Sequence, residues 1–335
     1  MKRSARPQKN RDSSQEGRMK LVFLDKKTIG EDMDFSQFAR LGEVVGYDFT
    51  APKEAPERVA DADIVIVNKV PINRQTIHNA RNLKLVCVTA TGTDNLDKDY
   101  LAERGIEWRN AAGYSTESVA QHTFAMLFYL LEHLRYYDDY VKKGDYINDV
   151  MFTHFVKTFP QLTGKTWGII GLGAIGRRVA EIARLFGARI VYYSASGAPA
   201  QEGYRQVDLE TLLQTSDIVS VHAPLNQYTD GLMNQKAFAL MQPHALFLNL
   251  GRGQIVVEEA LAEALNEGKI AAAGLDVLCR EPMATDSPLL KVKEKDRLLI
   301  TPHIGWASVE ARTNLMNIVA EHIRTFCGSP KHPGT

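Results

Sequence analysis

The sequence predicts an α/β protein with two parallel-sheet domains. Three observations predict it. The chain has 335 residues, beyond the size at which a single core stops growing. Apolar strands alternate with helical stretches from Met19 to about Asn110, and again from Gly164. A Gly-rich turn, Gly171-Leu172-Gly173-Ala174-Ile175-Gly176, sits between an apolar strand and an amphipathic helix. Such alternation implies a parallel sheet covered on both faces.

In the first half, strands are expected at Leu21–Leu24, Glu43–Phe49, Ile64–Val67 and Leu85–Val88. Helical stretches fall around Phe35–Leu41, Ala55–Ala60, Arg74–Ala80 and Lys98–Arg104. A long helix follows from about Thr116 to Val141, with Ser115 or Thr116 as N-cap and Glu117 in its first turn. Its apolar residues Val119, Phe124, Met126, Leu127, Leu130, Leu131 and Leu134 cover more than one face. That pattern marks a helix buried in a core or lying between domains or subunits.

The second half opens on the strand Trp167, Ile169, Ile170, then the Gly-rich turn. The next helix carries Val179, Ile182, Ala183 and Phe186 on one face, Gly187 closes it, and Arg189–Tyr193 forms the following strand. This βαβ unit has the size and layout of a dinucleotide fingerprint. Gly171 allows the tight turn, Gly173 lets the backbone approach a pyrophosphate, and Gly176 lets helix and strand pack closely. The free amides at the helix start favour an anionic ligand. Further strands are expected at Asp217–Val221, Ala245–Leu250, Ile270–Val277 and Leu298–Thr301. A last helix, Ala307 to Cys327, has Ala311, Leu315, Ile318, Val319, Ile323 and Phe326 in helical spacing, with Gly328 stopping it.

Composition sets outer bounds. Lys+Arg and Asp+Glu are both 40, so the formal net charge is zero, and no nucleic acid or anionic membrane is expected as partner. Cys87, Cys279 and Cys327 are scattered and odd in number. They fit a reducing cytoplasm rather than a disulfide framework or a metal site. No apolar run approaches a membrane span. Met1 to Arg18 holds six Lys/Arg and almost no apolar residue, so it reads as a disordered basic extension, and Met19-Lys20-Leu21-Val22 reads like a natural beginning.

Three polar residues follow apolar strands of the second half. Arg252 comes after Leu246–Gly251, Glu281 shortly after Ala273–Val277, and His303 after Leu298–Pro302. In an open parallel sheet, ligands bind outside the carboxyl ends of the strands. The arginine, carboxylate and imidazole therefore converge on the edge that carries the Gly-rich turn. Hydride transfer to a 2-keto acid needs such a set. Histidine supplies the proton that the carbonyl oxygen requires. Glu281 holds the imidazole and favours its protonated form. Arg252 clamps the substrate carboxylate. Singly, a histidine after proline is an ordinary loop residue and Glu281 before Pro282 a solvated turn residue; together they point to catalysis.

These motifs resemble the D-2-hydroxyacid dehydrogenase family over nearly all of Met19 to Gly328. They are the turn at Gly171–Gly176, Asn249-Leu250-Gly251-Arg252-Gly253, Gly274-Leu275-Asp276-Val277 with Glu281-Pro282, and Thr301-Pro302-His303-Ile304-Gly305. The resemblance implies two Rossmann-like or flavodoxin-like domains with the active-site cleft between them. It divides the chain into a discontinuous substrate domain, 19–112 with 303–330, and a dinucleotide-binding domain, 113–302. It also implies a homodimer. By the match, Arg252 is the substrate-binding arginine, Glu281 the partner of the histidine and His303 the acid/base. Asp276 is expected near the nicotinamide carboxamide, and His222, Ala223, Pro224 and Thr229 in a coenzyme-lining loop. Gly171, Gly173, Ala174, Ile175, Gly176, Ser194, Leu250, Gly251 and Gly305 complete the expected NAD(P)H set.

Within the family, Asn68-Lys69-Val70-Pro71, Ala90-Thr91-Gly92-Thr93-Asp94-Asn95 and Gly113–His122 resemble the glycerate dehydrogenase (hydroxypyruvate reductase) branch. Backbone amides of Ala90, Thr91 and Gly92 can receive a substrate carboxylate, with plain turn chemistry as the other reading. Lys69 adds a charge toward the substrate or is a solvated loop residue. Where an acidic residue would bind the adenosine ribose, the chain has Ser194-Ala195-Ser196-Gly197. Nothing there repels a 2′-phosphate, and no arginine follows until Arg205, so NAD and NADP both stand. The expected function is NAD(P)-dependent reduction of hydroxypyruvate or glyoxylate. Oxidation of 3-phosphoglycerate is the alternative within the family, and a non-catalytic, corepressor-like NAD(H) sensor the alternative outside it. The formate dehydrogenase branch is disfavoured, since it carries glutamine where this chain has Glu281.

Overall fold

The computed structural model describes residues 18–328. The expected basic extension, Met1 to Arg18, lies outside them except for Arg18, whose guanidinium donates to the Ala39 carbonyl at 2.7 Å. The chain divides into two units, one of residues up to Tyr114 together with those from Val309, the other of Ser115–Ser308.

The first unit is a parallel sheet of β1 (Lys20–Phe23), β2 (Glu43–Gly46), β3 (Ile64–Val67), β4 (Leu85–Val88) and β5 (Glu107–Asn110), in the order β2-β1-β3-β4-β5. Every residue of β3 and β4 is buried, as unbroken apolar runs require in a sheet covered on both sides. Short helices α1 (Ala55–Arg58), α2 (Arg74–Ile77) and α3 (Lys98–Glu103) connect them. The helix expected at Phe35–Leu41 is a 3₁₀ turn at Ser36–Arg40. Strand β5 was not expected, because Glu107-Trp108-Arg109-Asn110 is a half-exposed edge with no apolar run.

The second unit begins with α4 (Thr116–Leu131) and α5 (Leu134–Lys142). These replace the single helix expected to reach Val141. The break is at His133, which is left-handed (φ 52°). Up to Leu130 the helix buries Phe124, Met126, Leu127 and Leu130, each worth about 1.5–3 kcal/mol. Helix α5 buries none of its residues, so nothing holds it in line with α4. Beyond it, residues 143–161 form an irregular arm tied to α5 by tyrosines. Tyr136 Oη lies 2.8 Å from His154 Nε2, Tyr140 donates to Asp149 at 2.6 Å, and the Tyr140 and His154 rings stack at 3.9 Å. The arm's apolar side chains face the other way: Ile147, Val150, Met151, Phe152, Phe155, Val156 and Phe159 are all exposed.

The rest is a doubly wound sheet. In chain order come β6 (Thr166–Ile170), α6 (Ala174–Leu185), β7 (Arg189–Tyr193), β8 (Arg205–Gln206), α7 (Leu209–Thr215), β9 (Ile218–Val221), α8 (Gln235–Leu240), β10 (Leu246–Asn249), α9 (Glu258–Asn266), β11 (Ala272–Leu275) and β12 (Leu298–Ile300). The seven strands are parallel, in the order β12-β11-β10-β9-β6-β7-β8. The pleat sends alternate side chains to opposite faces. Trp167 and Ile169 join Phe124, Leu127, Val179 and Ala183 of α4 and α6 on one side. Ile170 and Val219 join Leu212, Phe238 and Leu261 of α7, α8 and α9 on the other.

Helix α10 (Val309–Gly328) returns to the first unit and packs on β4. Arg109 of β5 donates to the carbonyl of its His322 at 3.1 Å. The boundaries differ from the expected ones. His303–Ser308 belongs to the second unit, because Asp276 at the end of β11 receives the amides of Ile304 and Gly305, and Ser118 of α4 donates to the Gly305 carbonyl.

Candidate active site

The carboxyl edge of the seven-stranded sheet collects the residues expected there. Strand β6 ends at Gly171, whose φ of +92° few L side chains adopt. A Cβ on it would lie 2.7 Å from Ala223 Cα, so the loop after β9 packs directly on the turn. Chain order reverses here: β7 lies on one side of β6 and β9 on the other, the switch point at which such sheets bind ligands. Gly173 is the N-cap of α6 and makes no side-chain cap bond. A Cβ there would meet nothing within 4 Å, whereas one on Gly176 would strike the Gly171 carbonyl at 2.2 Å. Ala174 and Ile175 open the helix, Ser194 follows β7, and Leu250 and Gly251 follow β10. Thr229 closes the loop after β9 by donating to the Pro224 carbonyl at 2.7 Å.

His222 adds a buried polar atom. Ser220 Oγ accepts the Trp167 indole N–H at 2.9 Å and lies 3.1 Å from His222 Nε2. Among the described residues the buried His222 Nδ1 has no partner. Burial pushes the imidazole down to about 3, so it stays uncharged near neutral pH.

Two of the three catalytic candidates meet directly. His303 Nδ1 lies 2.7 Å from Glu281 Oε2, and Glu281 Oε1 accepts the Leu278 amide at 3.0 Å. A carboxylate only accepts, so Nδ1 carries hydrogen and Nε2 is the nitrogen left for proton exchange with a ligand. His303 is left-handed (φ 56°), a rare conformation for a residue with a Cβ. Its amide donates to the Asp276 carbonyl at 2.8 Å. Arg252 sits half-buried on the neighbouring loop. Gly253, beside it, comes so close to the segment leading from β11 to Glu281 that a Cβ would fall 1.9 Å from the Leu278 carbonyl carbon.

Asp276 is 4% exposed. It accepts from Thr301 Oγ1 at 2.6 Å, Ile304 N at 2.9 Å and Gly305 N at 2.8 Å. Burial pushes its carboxyl up, but bonds from His122, Thr301 and the two amides outweigh that and hold it below the usual range. Asn249, fully buried at the end of β10, brackets the arginine loop by accepting from Gly251 N and donating to the Arg252 carbonyl. Sequence reading gave Asn249, Ser220 and Thr301 no role; the available signal was a polar residue within or ending an otherwise apolar strand. In the first unit, Lys69 and the Ala90–Gly92 turn follow β3 and β4 at that sheet's own carboxyl edge. Thr91 Oγ1 donates to the Ala111 carbonyl at 3.0 Å. Asp25, also unremarked in the sequence, accepts the amides of Asn68, Lys69 and Val70, while burial pushes its carboxyl up.

Residues 124–305 match the profile described as D-isomer specific 2-hydroxyacid dehydrogenase, NAD binding domain. The hydroxypyruvate reductase of Blautia hydrogenotrophica is 38% identical over 319 residues, covering 93% of this chain and 98% of that protein. This chain belongs to the D-isomer-specific 2-hydroxyacid dehydrogenase family. The glycerate dehydrogenase of Methylorubrum extorquens is 34% identical, with 93% and 98% covered. Among solved structures, an NADPH-dependent glyoxylate/hydroxypyruvate reductase from Sinorhizobium meliloti, in complex with NADP and malonate, superposes with a TM-score of 0.79. It is 25% identical, with 93% of this chain and 94% of that one covered.

As a member of this family the chain is an NAD(P)-dependent oxidoreductase acting on 2-hydroxy acids. The residues present fit a dinucleotide. Open space faces the start of α6 at Gly173, where amides and helix dipole favour a diphosphate, and His222, in the loop that packs on the same turn, has a buried Nδ1 with no partner among the described residues.

Proposed function

We propose that this dehydrogenase reduces hydroxypyruvate to glycerate and glyoxylate to glycolate, and that it accepts NADPH as well as NADH. The observation that carries the reading is the 2.7 Å bond between His303 Nδ1 and Glu281 Oε2 at the sheet edge that also holds the glycine turn. The hydroxypyruvate, glycerate and glyoxylate relatives support the substrate class. Reduced nicotinamide, when bound, supplies the hydride. Arg252 binds the substrate carboxylate and orients the keto group. His303 donates its Nε2 proton to the carbonyl oxygen as charge develops there, and Glu281 keeps the imidazole in the required tautomer. His222 hydrogen-bonds to the coenzyme through Nδ1, and Asp276 keeps His303 in place. We take the first unit as the substrate-binding one, with Lys69 and the amides of Ala90, Thr91 and Gly92 on the substrate, and the second as the coenzyme-binding one.

We also propose a homodimer, supported by the seven outward-facing apolar side chains between Ile147 and Phe159, a patch of the kind that marks protein contacts. A cytoplasmic location is supported by three free thiols. No described helix is long and apolar enough to cross a membrane. Turnover assays with NADH and NADPH against hydroxypyruvate, glyoxylate, pyruvate and phenylpyruvate test the reading. Hydroxypyruvate or glyoxylate should give the highest kcat/KM. Preference for pyruvate or phenylpyruvate, or tight coenzyme binding with no turnover, contradicts it.

A further inference from the structure

Helix α4 is packed into an apolar core, yet it carries Ser118 and His122, four residues apart and so on one helix face. Both reach the segment that bears His303. Ser118 Oγ donates to the Gly305 carbonyl at 2.7 Å and accepts from Ser308 N at 3.3 Å. His122 Nε2 lies 3.0 Å from Thr301 Oγ1 and 3.4 Å from Asp276 Oδ1. A hydroxyl has one proton, and Thr301 gives it to Asp276 Oδ1 at 2.6 Å. Toward His122 it therefore accepts, and His122 Nε2 carries the hydrogen.

The bonds form one directed chain. His122 donates to Thr301, Thr301 donates to Asp276, and Asp276 receives the amides of Ile304 and Gly305. Inside that turn stands His303 with its left-handed φ of 56°. Such a conformation is strained for a residue with a Cβ and persists only where surrounding contacts over-determine it. An apolar residue at position 122 would fill a helix face more cheaply than an imidazole that has to be desolvated.

We propose that His122 is a positioning residue for the reaction: through Thr301 and Asp276 it holds the turn that presents the His303 imidazole to Glu281 and to the substrate. The inference rests on His303 being the acid/base of the proposed function.

The test uses the full chain with His122→Phe, which removes the donor, and His122→Gln, whose amide can donate from nearly the same place. Thr301→Val and Thr301→Ser make the same comparison one bond further along, and cover the case in which His122→Phe does not fold. The readouts are kcat and KM for hydroxypyruvate and coenzyme Kd by fluorescence. His122→Phe and Thr301→Val should lose up to about 10²-fold in kcat, the size expected for a small misplacement of a reacting group, with coenzyme Kd kept. The glutamine and serine variants should recover most of that loss. Wild-type kcat in His122→Phe or in Thr301→Val overturns the proposal, as does a glutamine variant no better than phenylalanine. His303→Ala, run alongside, separates the two levels. If it is active, the acid/base assignment falls; if it is inactive while His122→Phe and Thr301→Val keep full kcat, only the positioning role falls.

Discussion

Ser194 directly follows β7, with its Oγ 3.2 Å from Ser196 Oγ, and the proposed function puts it at the ribose of the adenosine half. A hydroxyl pair there neither repels a 2′-phosphate nor offers the carboxylate that selects NAD. Ser194→Asp should therefore move preference toward NADH by at least about 10-fold in the ratio of the two kcat/KM values, since like charges at a contact cost several kcal/mol. An unchanged ratio would remove Ser194 from the ribose site. At this scale much was legible. Arg252, Glu281 and His303 each come just after an apolar strand, and parallel strands bring the loops at their carboxyl ends to one edge. The bonds of Asp276 to Thr301, Ile304 and Gly305 were not legible, because they depend on a left-handed backbone at His303 that no residue pattern announces.

Strands of the second unit are short, and the loops at their carboxyl ends keep the edge in shape. Asp276, after β11, ties the loop after β12 to itself. Its carboxyl is held below the ordinary carboxylate range by the bonds it receives, against the push of burial. The stability it lends is thus fully present above the unfolded-state value and is lost as pH falls through the lower folded value. Asp276→Asn should lower stability at pH 7 by about 1–3 kcal/mol, the cost of disturbing a buried hydrogen-bonded group. Denaturant titrations of the two proteins should converge as pH drops below the usual carboxylate range; a constant gap down to that pH would contradict this account. The apolar runs β3, β4, β6, β9 and β10 were readable as buried strands. The division of the long helix at His133 was not, since Leu134 continues the apolar spacing yet is 45% exposed. Periodicity records where apolar residues recur, not whether a partner surface continues beside them.

For the whole molecule, two parallel sheets were readable from length, alternation and the second half's glycine turn, whereas the return of the last helix to the first sheet was expected from the family resemblance. The arm between α5 and β6 was not, because its aromatic residues lack any regular period. Its polarity is inverted, with Asp149 and His154 meeting the tyrosines of α5 and its phenylalanines exposed to solvent. In solution the chain should run as two copies of 37.4 kDa. Phe152→Ser combined with Phe155→Ser should shift light-scattering mass toward one copy, and an unchanged mass would place the contact elsewhere. The central claim concerns the proton. Coenzyme oxidation by hydroxypyruvate should be followed in His303→Ala with coenzyme Kd measured on the same sample. The account predicts kcat lowered by roughly 10²–10⁴-fold, the usual worth of a positioned acid, with coenzyme Kd kept; near-normal turnover in that variant would contradict it.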